Sequence, residues 1–233
     1  LVDSPGRPKY GNPPGSNALV GVSIDDLLLS FRPARWVWKP LIRRAVIGAW
    51  TRPRMRPGEV VFPARLKRLG LYLHVPFCHN LCPYCPYNRV KFDEDLYRRY
   101  EAAAHQEIDL VARRMAEARS GSGAGRPRIV SLYIGGGTPT VVPEGLARLV
   151  EHIQRAFGPA GDVCVELHPA AMDDDCLAVL KSVGVTMLSI GVESLSDRLL
   201  GLIGRSHDAA AAASAVRRAV AMGFGAVNAD LMF

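Results

Sequence analysis

The sequence predicts an α/β protein, a parallel sheet with helices outside it, and three observations carry that expectation. From Leu71 onward, short β-prone runs alternate with stretches whose apolar residues recur at helical spacing, giving strand, helix, strand, helix, strand, helix, strand, helix, strand. The strand runs, such as IVSLYI at 129–134, are nearly continuous in apolar residues, as strands covered on both faces are. Helical crossovers between parallel strands are right-handed, which leaves a doubly wound sheet or a (β/α) barrel. Both place a ligand beyond the carboxyl ends of the strands.

The 233 residues, 48% hydrophobic with charges interspersed, suffice for a soluble globular core and read as one domain plus an appendage. Residues 1–69 are the appendage. Positions 1–18, rich in Pro and Gly, read as a loose arm, and 23–30 as a short helix opened by Ser23. Arg35 to Trp50 reads as a basic amphipathic helix after Pro40, docked by its apolar face or contacting a membrane surface or partner. The net charge of +7 is modest and much of it precedes residue 70, so nucleic acid is not an expected partner. No apolar run reaches the length of a membrane span, and five cysteines, three of them bunched, fit a reducing cytoplasm.

The core, 70–233, opens with a strand over Leu71 to Val75 that breaks at Pro76. Phe92 to Ala118 carries Leu96, Tyr100, Ala103, Ile108, Val111 and Met115 at helical spacing, and a Gly/Ser-rich link follows at 120–126. After the strand at 129–134 come GGGTPT and a helix from about Pro143 to Phe157, proline being suited to a first turn. DVCVELHP (162–169) predicts a strand with a helix over Asp173 to Ser182 behind it. VTMLSIGVES (185–194) predicts the next strand, leading through Gly201 and Gly204 into an Ala-rich helix at 207–222, and GAVNADLMF (225–233) the last. A sheet ending there would leave an apolar edge exposed, so a fragment, or a chain that leans on another element, is expected.

Cys78, Cys82 and Cys85 follow the first strand at C-x3-C-x2-C spacing, on a loop stiffened by Pro83 and Pro86. Thiolates are soft ligands that select zinc, copper(I) or iron–sulfur clusters. Structural zinc closes with four protein ligands and would need His74, His79 or a distant Cys, whereas a [4Fe–4S] cube on three cysteines leaves one iron open. Spacing leaves iron–sulfur, zinc and three unrelated thiols all open.

The remaining suggestive residues fall at the same ends of their strands. Gly135, Gly136, Gly137 and Thr138 follow the second, where missing β-carbons let a ligand meet backbone. Glu166 and His168 end the third, Glu193 and Ser194 the fourth, and Asp230 lies near the end of the fifth, while Arg205 could close on a carboxylate. Singly, each has a structural use: a tight turn for the glycines, a helix cap or ion pair for the acids, a structural place for His168 and His207. Together they suit a zwitterionic ligand with sugar hydroxyls.

With C-x3-C-x2-C, GGGTPT, VELHP, SIGVES, GRSH and NADLMF in that order, the chain from about 70 to 233 resembles the radical SAM superfamily. Within it, the likeness is to the oxygen-independent coproporphyrinogen III dehydrogenase group, with its related haem chaperones and methyltransferases. The resemblance implies a partial (β/α) barrel, truncated after the fifth strand where the family continues with a sixth strand and a substrate-binding region. It implies a [4Fe–4S] cluster on Cys78, Cys82 and Cys85 whose open iron is chelated by S-adenosylmethionine. One-electron reduction of the sulfonium would release methionine and a 5′-deoxyadenosyl radical that abstracts hydrogen from substrate. By position, Tyr72 would offer backbone to the adenine, Gly136 and Gly137 would meet the methionyl amino group, and Glu166 would hold ribose hydroxyls. Tyr84, Thr138, Glu193, Arg205 and Asp230 match positions that hold a second S-adenosylmethionine in this group.

The implied function is a coproporphyrinogen oxidase-like enzyme of porphyrin biosynthesis, with a methyltransferase using two S-adenosylmethionines or a haem chaperone of the same fold as alternatives. The substrate would be a porphyrinogen or another biosynthetic intermediate, the electron donor a flavodoxin or ferredoxin, and no catalytic residue is assigned. Two departures qualify the likeness. Position 87 is Tyr where the haem-pathway dehydrogenases carry a further Cys, and position 193 is Glu where the group usually has Gln, an ionised side chain that would repel a carboxylate.

Overall fold

Every β-prone run of the core becomes a strand of one parallel sheet. The computed structural model describes residues 62 and 64–232; the arm and helices expected at 1–18, 23–30 and 35–50 lie outside them. The order is β1 (Arg68–Val75), β2 (Phe77–Cys78), β3 (Val90–Lys91), α1 (Glu94–Arg119), β4 (Arg128–Gly136), α2 (Pro143–Phe157), β5 (Asp162–Leu167), α3 (Asp174–Ser182), β6 (Met187–Glu193), α4 (Asp197–Leu202), α5 (Ala209–Ala221) and β7 (Ala226–Leu231). Short 3-10 turns at Pro139–Val141 and Pro169–Ala171 leave β4 and β5.

Aspartates open three of the helices. Asp93, Asp173 and Asp208 sit in extended backbone and accept from Leu96 N, Cys176 N and Ala211 N, satisfying amides that lack intrahelical partners. Pro143 opens α2, where its missing N–H costs nothing. The segment expected only to lead through Gly201 toward the Ala-rich helix forms a helix of its own over 197–202, although glycine is a poor helix former. Burial of Leu200, 1% exposed, outweighs that cost of about 1 kcal/mol.

The sheet runs β1-β4-β5-β6-β7, every pair parallel. Right-handed crossovers that always step the same way put their helices on one face, whereas a doubly wound sheet reverses its strand order midway. One apolar cluster accordingly joins Leu132, Ile134, Val163, Val165, Leu188 and Ile190 of the strands to Ile108, Leu149, Leu177 and Ala215 of α1, α2, α3 and α5. This is the arc of a partial (β/α) barrel. Among the described residues the sheet is open, and no helix is long and apolar enough to cross a membrane.

Strand side chains alternate between faces. The register makes rows of them, Val165–Leu188–Val227 under the helices and Glu166–Ser189–Asn228 on the opposite, inner face. Polar side chains, not a packed apolar layer, line that inner face.

Candidate metal and cofactor site

The cysteine loop is pinned at both ends. Phe77↔Val90 and Cys78↔Lys91 pair as a two-strand ladder, with Val90 N donating to Pro76 O (2.7 Å) and Phe92 N to Cys78 O (2.8 Å). Phe77, buried against the edges of the Tyr97 and Tyr100 rings at 5.4 Å, anchors the ladder to α1. Inside the loop, Arg89 donates to the Cys82 and Tyr87 carbonyls and Cys85 N to Cys82 O (3.2 Å). Cys78 and Cys82 are buried, Cys85 is half-buried, and all three are free thiols. Burial pushes the Cys78 thiol up from its ordinary value, the Thr138 hydroxyl 3.9 Å away opposes this, and the sulfurs of Cys85 and Cys82 raise it further.

Close packing explains the glycine run. A β-carbon on Gly135 would lie 2.7 Å from a Glu166 oxygen, one on Gly136 (φ +122°) 2.8 Å from the His74 ring, and one on Gly137 2.5 Å from Phe77 O and 2.8 Å from Cys78 Sγ. The glycines thus seat the carboxylate, the histidine and the cysteine loop, in addition to baring backbone to a ligand.

These elements enclose one side of a cavity of about 410 Å³ at the carboxyl ends of the strands. Its walls bring together Cys78, Cys82, Cys85, Tyr84, Gly136, Gly137, Thr138, Glu166, Glu193, Arg205 and Asp230. Tyr72, the other residue expected there, does not line it: its side chain is 60% exposed, stacks on Tyr133 (centroids 6.1 Å apart) and bonds His74 Nδ1 at 2.9 Å.

Glu166 accepts from Tyr133 Oη (2.7 Å) and Gly136 N (3.1 Å), so its carboxylate is fixed at the glycine ledge. Asp230 accepts from Ser189 Oγ (2.9 and 3.1 Å) and Asn228 Nδ2 (2.6 Å). Arg205, its side chain 8% exposed, donates to Gly191 O and sets Nη1 3.8 Å from Cys82 Sγ and 3.9 Å from Glu193 Oε1, leaving Nε buried without a partner. Glu193 is the one non-glycine residue with positive φ among those described (+63°), at a register shift between β6 and β7. Burial raises the Tyr84 phenol well above its ordinary value, with Arg205 opposing and Glu193 adding to the rise.

The structure adds lining residues that pattern reading did not single out, Asn80, Arg89, Ser189 and Gly191, and brings His168, given a structural place by the sequence, into the same wall. Ser189 carried a signal, a lone hydroxyl in the apolar run of β6; Arg89 carried none. His168 Nδ1 accepts from Ala170 N (3.1 Å), and burial, with Arg205 and His207 adding, lowers its pKa to about 3.

No group of three His, Cys, Asp or Glu among the described residues is set to hold a single metal ion. The three thiols share a cavity wall with a glycine ledge, and the softness of these donors fits an iron–sulfur cube. Fold and site together define a parallel α/β protein with a three-thiol loop and a polar cavity at its strand ends.

Residues 72–233 match the radical SAM superfamily, and the chain belongs to it. Among its relatives, the heme chaperone HemW of Bacillus subtilis is 35% identical over 167 residues, 70% of this chain and 41% of that protein. The oxygen-independent coproporphyrinogen III oxidase of Bradyrhizobium diazoefficiens is 30% identical over 168 residues, 70% of this chain and 36% of that protein. The fold matches coproporphyrinogen III oxidase (HemN) from Escherichia coli, a radical SAM enzyme, with a TM-score of 0.63 and 26% identity over 75% of this chain and 38% of that one. The chain therefore spans less than half the length of these relatives.

Proposed function

We propose that this chain binds a [4Fe–4S] cluster through Cys78, Cys82 and Cys85 and S-adenosylmethionine in the adjoining cavity, and that the pair cleaves the sulfonium reductively. The single observation that carries this is the meeting of three free thiols, the glycine ledge and the fixed Glu166 carboxylate around one cavity. When bound, the cluster supplies one electron to the sulfonium. The protein's residues do the rest by position. Arg89 and the β2–β3 ladder hold the thiols in place. Tyr133 and Gly136 N hold Glu166 ready to accept ribose hydroxyls. Gly136 and Gly137 expose backbone at the ledge, and buried Phe77 and Leu167 keep water from beneath it.

Anaerobically reconstituted full-length protein should contain iron and sulfide and form 5′-deoxyadenosine from S-adenosylmethionine under dithionite. Cleavage that survives in Cys82→Ala would overturn the assignment.

The substrate belongs, on this reading, to the tetrapyrroles that the relatives' names describe, with carriage of haem as the second reading beside oxidation of a porphyrinogen. Tyr87 favours carriage: it stands, 68% exposed, where the dehydrogenases carry a further Cys, and heme chaperones at 31–35% identity are among the relatives. Titration with haem separates the two, since a carrier shows a saturable Soret shift and an oxidase of free porphyrinogen does not.

A further inference from the structure

The half of the cavity bounded by β6 and β7 carries three ionisable groups, Glu193, Arg205 and Asp230. Their bonding decides which ligand groups it can receive. Arg205, the cation, is occupied from within: Nη2 donates to Gly191 O, Nη1 lies between Cys82 Sγ and Glu193 Oε1, and Nε is sealed from solvent. The absence of a side chain on Gly191 makes this possible, because a β-carbon there would lie 3.1 Å from Arg205 Nη2 and 3.2 Å from Glu193 Oε1. Glu193 is held over that gap by a left-handed backbone conformation that ordinary residues adopt only at a cost of roughly 1 kcal/mol, with the Tyr84 phenol against it. The neutral donors are spent as well, since Ser189 and Asn228 both point at Asp230. What remains turned to the cavity is acceptor: two carboxylates against one guanidinium already paired.

We propose that Glu193 sets the ligand specificity of this half of the cavity: by neutralising Arg205 internally, it makes the β6–β7 side a subsite for an ammonium or other N–H or O–H donor and closes it to a carboxylate. The proposal rests on the reading that S-adenosylmethionine occupies the Glu166 side.

Equilibrium dialysis of reconstituted full-length protein tests this with two probes, S-adenosylmethionine and its decarboxylated analogue, which keeps the amine and lacks the carboxylate. With one equivalent of S-adenosylmethionine bound, the wild type should take up the decarboxylated probe at least about tenfold more tightly than further S-adenosylmethionine, the scale of one charge-assisted hydrogen bond. Glu193→Gln, which keeps the shape and frees Arg205, should abolish or reverse that preference. Asp230→Asn, which leaves the Glu193–Arg205 pair intact, should weaken the decarboxylated probe alone. Equal binding of both probes to the wild type, a preference unchanged in Glu193→Gln, or no further binding of either probe would each overturn the subsite and leave the radical SAM reading intact. Failure to bind even the first equivalent would remove both.

Discussion

The tightest contact at the site is the one between the glycine ledge and the cysteine loop, and Gly137→Ala probes it directly. The added methyl would lie 2.5 Å from Phe77 O and 2.8 Å from Cys78 Sγ, where separations under 3.0 Å are essentially never seen. Neither neighbour has room to retreat. Phe77 is wedged against Tyr97 and Tyr100, and the backbone of both strands is tied by Thr138 N to Phe77 O (2.7 Å) and Gly137 N to Val75 O (2.8 Å). Overpacking of this kind costs about 1–3 kcal/mol. For a domain of this size that is a fall of about 2–12 °C in melting temperature. Circular dichroism melts of the apo-protein would measure it, with Gly125→Ala as the control because a β-carbon there meets nothing within 4 Å. Iron content after reconstitution should fall in parallel, since the displaced atom is the first proposed ligand. A Gly137→Ala protein with an unchanged melt and full iron uptake would refute the packing of the loop on β4.

Three further outcomes follow from the same geometry. Glu166→Gln keeps one oxygen for Tyr133 but loses the carboxylate, and S-adenosylmethionine affinity measured by calorimetry should fall at least about tenfold; undiminished affinity would exclude Glu166 from the ligand. Leu132→Ala opens a cavity in the fully buried face of β4 and should lower unfolding free energy in urea by about 2–5 kcal/mol, a shift near zero arguing against the helix-covered face. His168 gives a pH signature: burial lowers it from 6.5 to about 3, so between those values the unfolded chain binds a proton that the folded one refuses. Stability contributed by neutral His168 is then full above pH 6.5 and lost as pH falls through that window, and His168→Asn should flatten the loss of urea midpoint on its acid side.

Much of this molecule was legible in the sequence because its signals are local. Apolar residues at helical spacing announced α1 and the five apolar runs announced strands, whereas right-handed crossovers left a doubly wound sheet and a barrel arc both open until the strand order was seen. The cysteine spacing and the strand-end acids converge as expected because loops at one end of a parallel sheet share one mouth. What escaped depends on contacts distant in sequence. The seating of Glu166 over Gly135 joins two strands, and Arg89 acts by bonding a carbonyl seven residues earlier in a loop without period. The pairing of Glu193 with Arg205 needs a register shift and a positive φ at a residue type that seldom adopts one. Tyr72 shows the converse, since a position in a motif fixes the backbone of β1 and leaves its side chain to stack on Tyr133.

The distribution of polarity across the sheet explains how such a site tolerates variation. In a closed (β/α)₈ barrel the inner face is a packed core whose branched side chains hold the strands together. Here the inner rows carry Tyr133, Cys164, Glu166, Ser189, Asn228 and Asp230, with Met187 and Ala226 beside Cys164, while Leu132, Val165, Leu188 and Ile190 bury against the helices on the other side. The fully buried apolar side chains of the strands therefore lie on the outer face, and substitutions of the polar inner residues change hydrogen-bonding chemistry without opening a cavity in that core. A substitution at Ser189 or Asn228 would then alter the hydrogen bonding of the cavity side at little cost to the fold, the separation of scaffold from chemistry that lets one sheet carry many reactions.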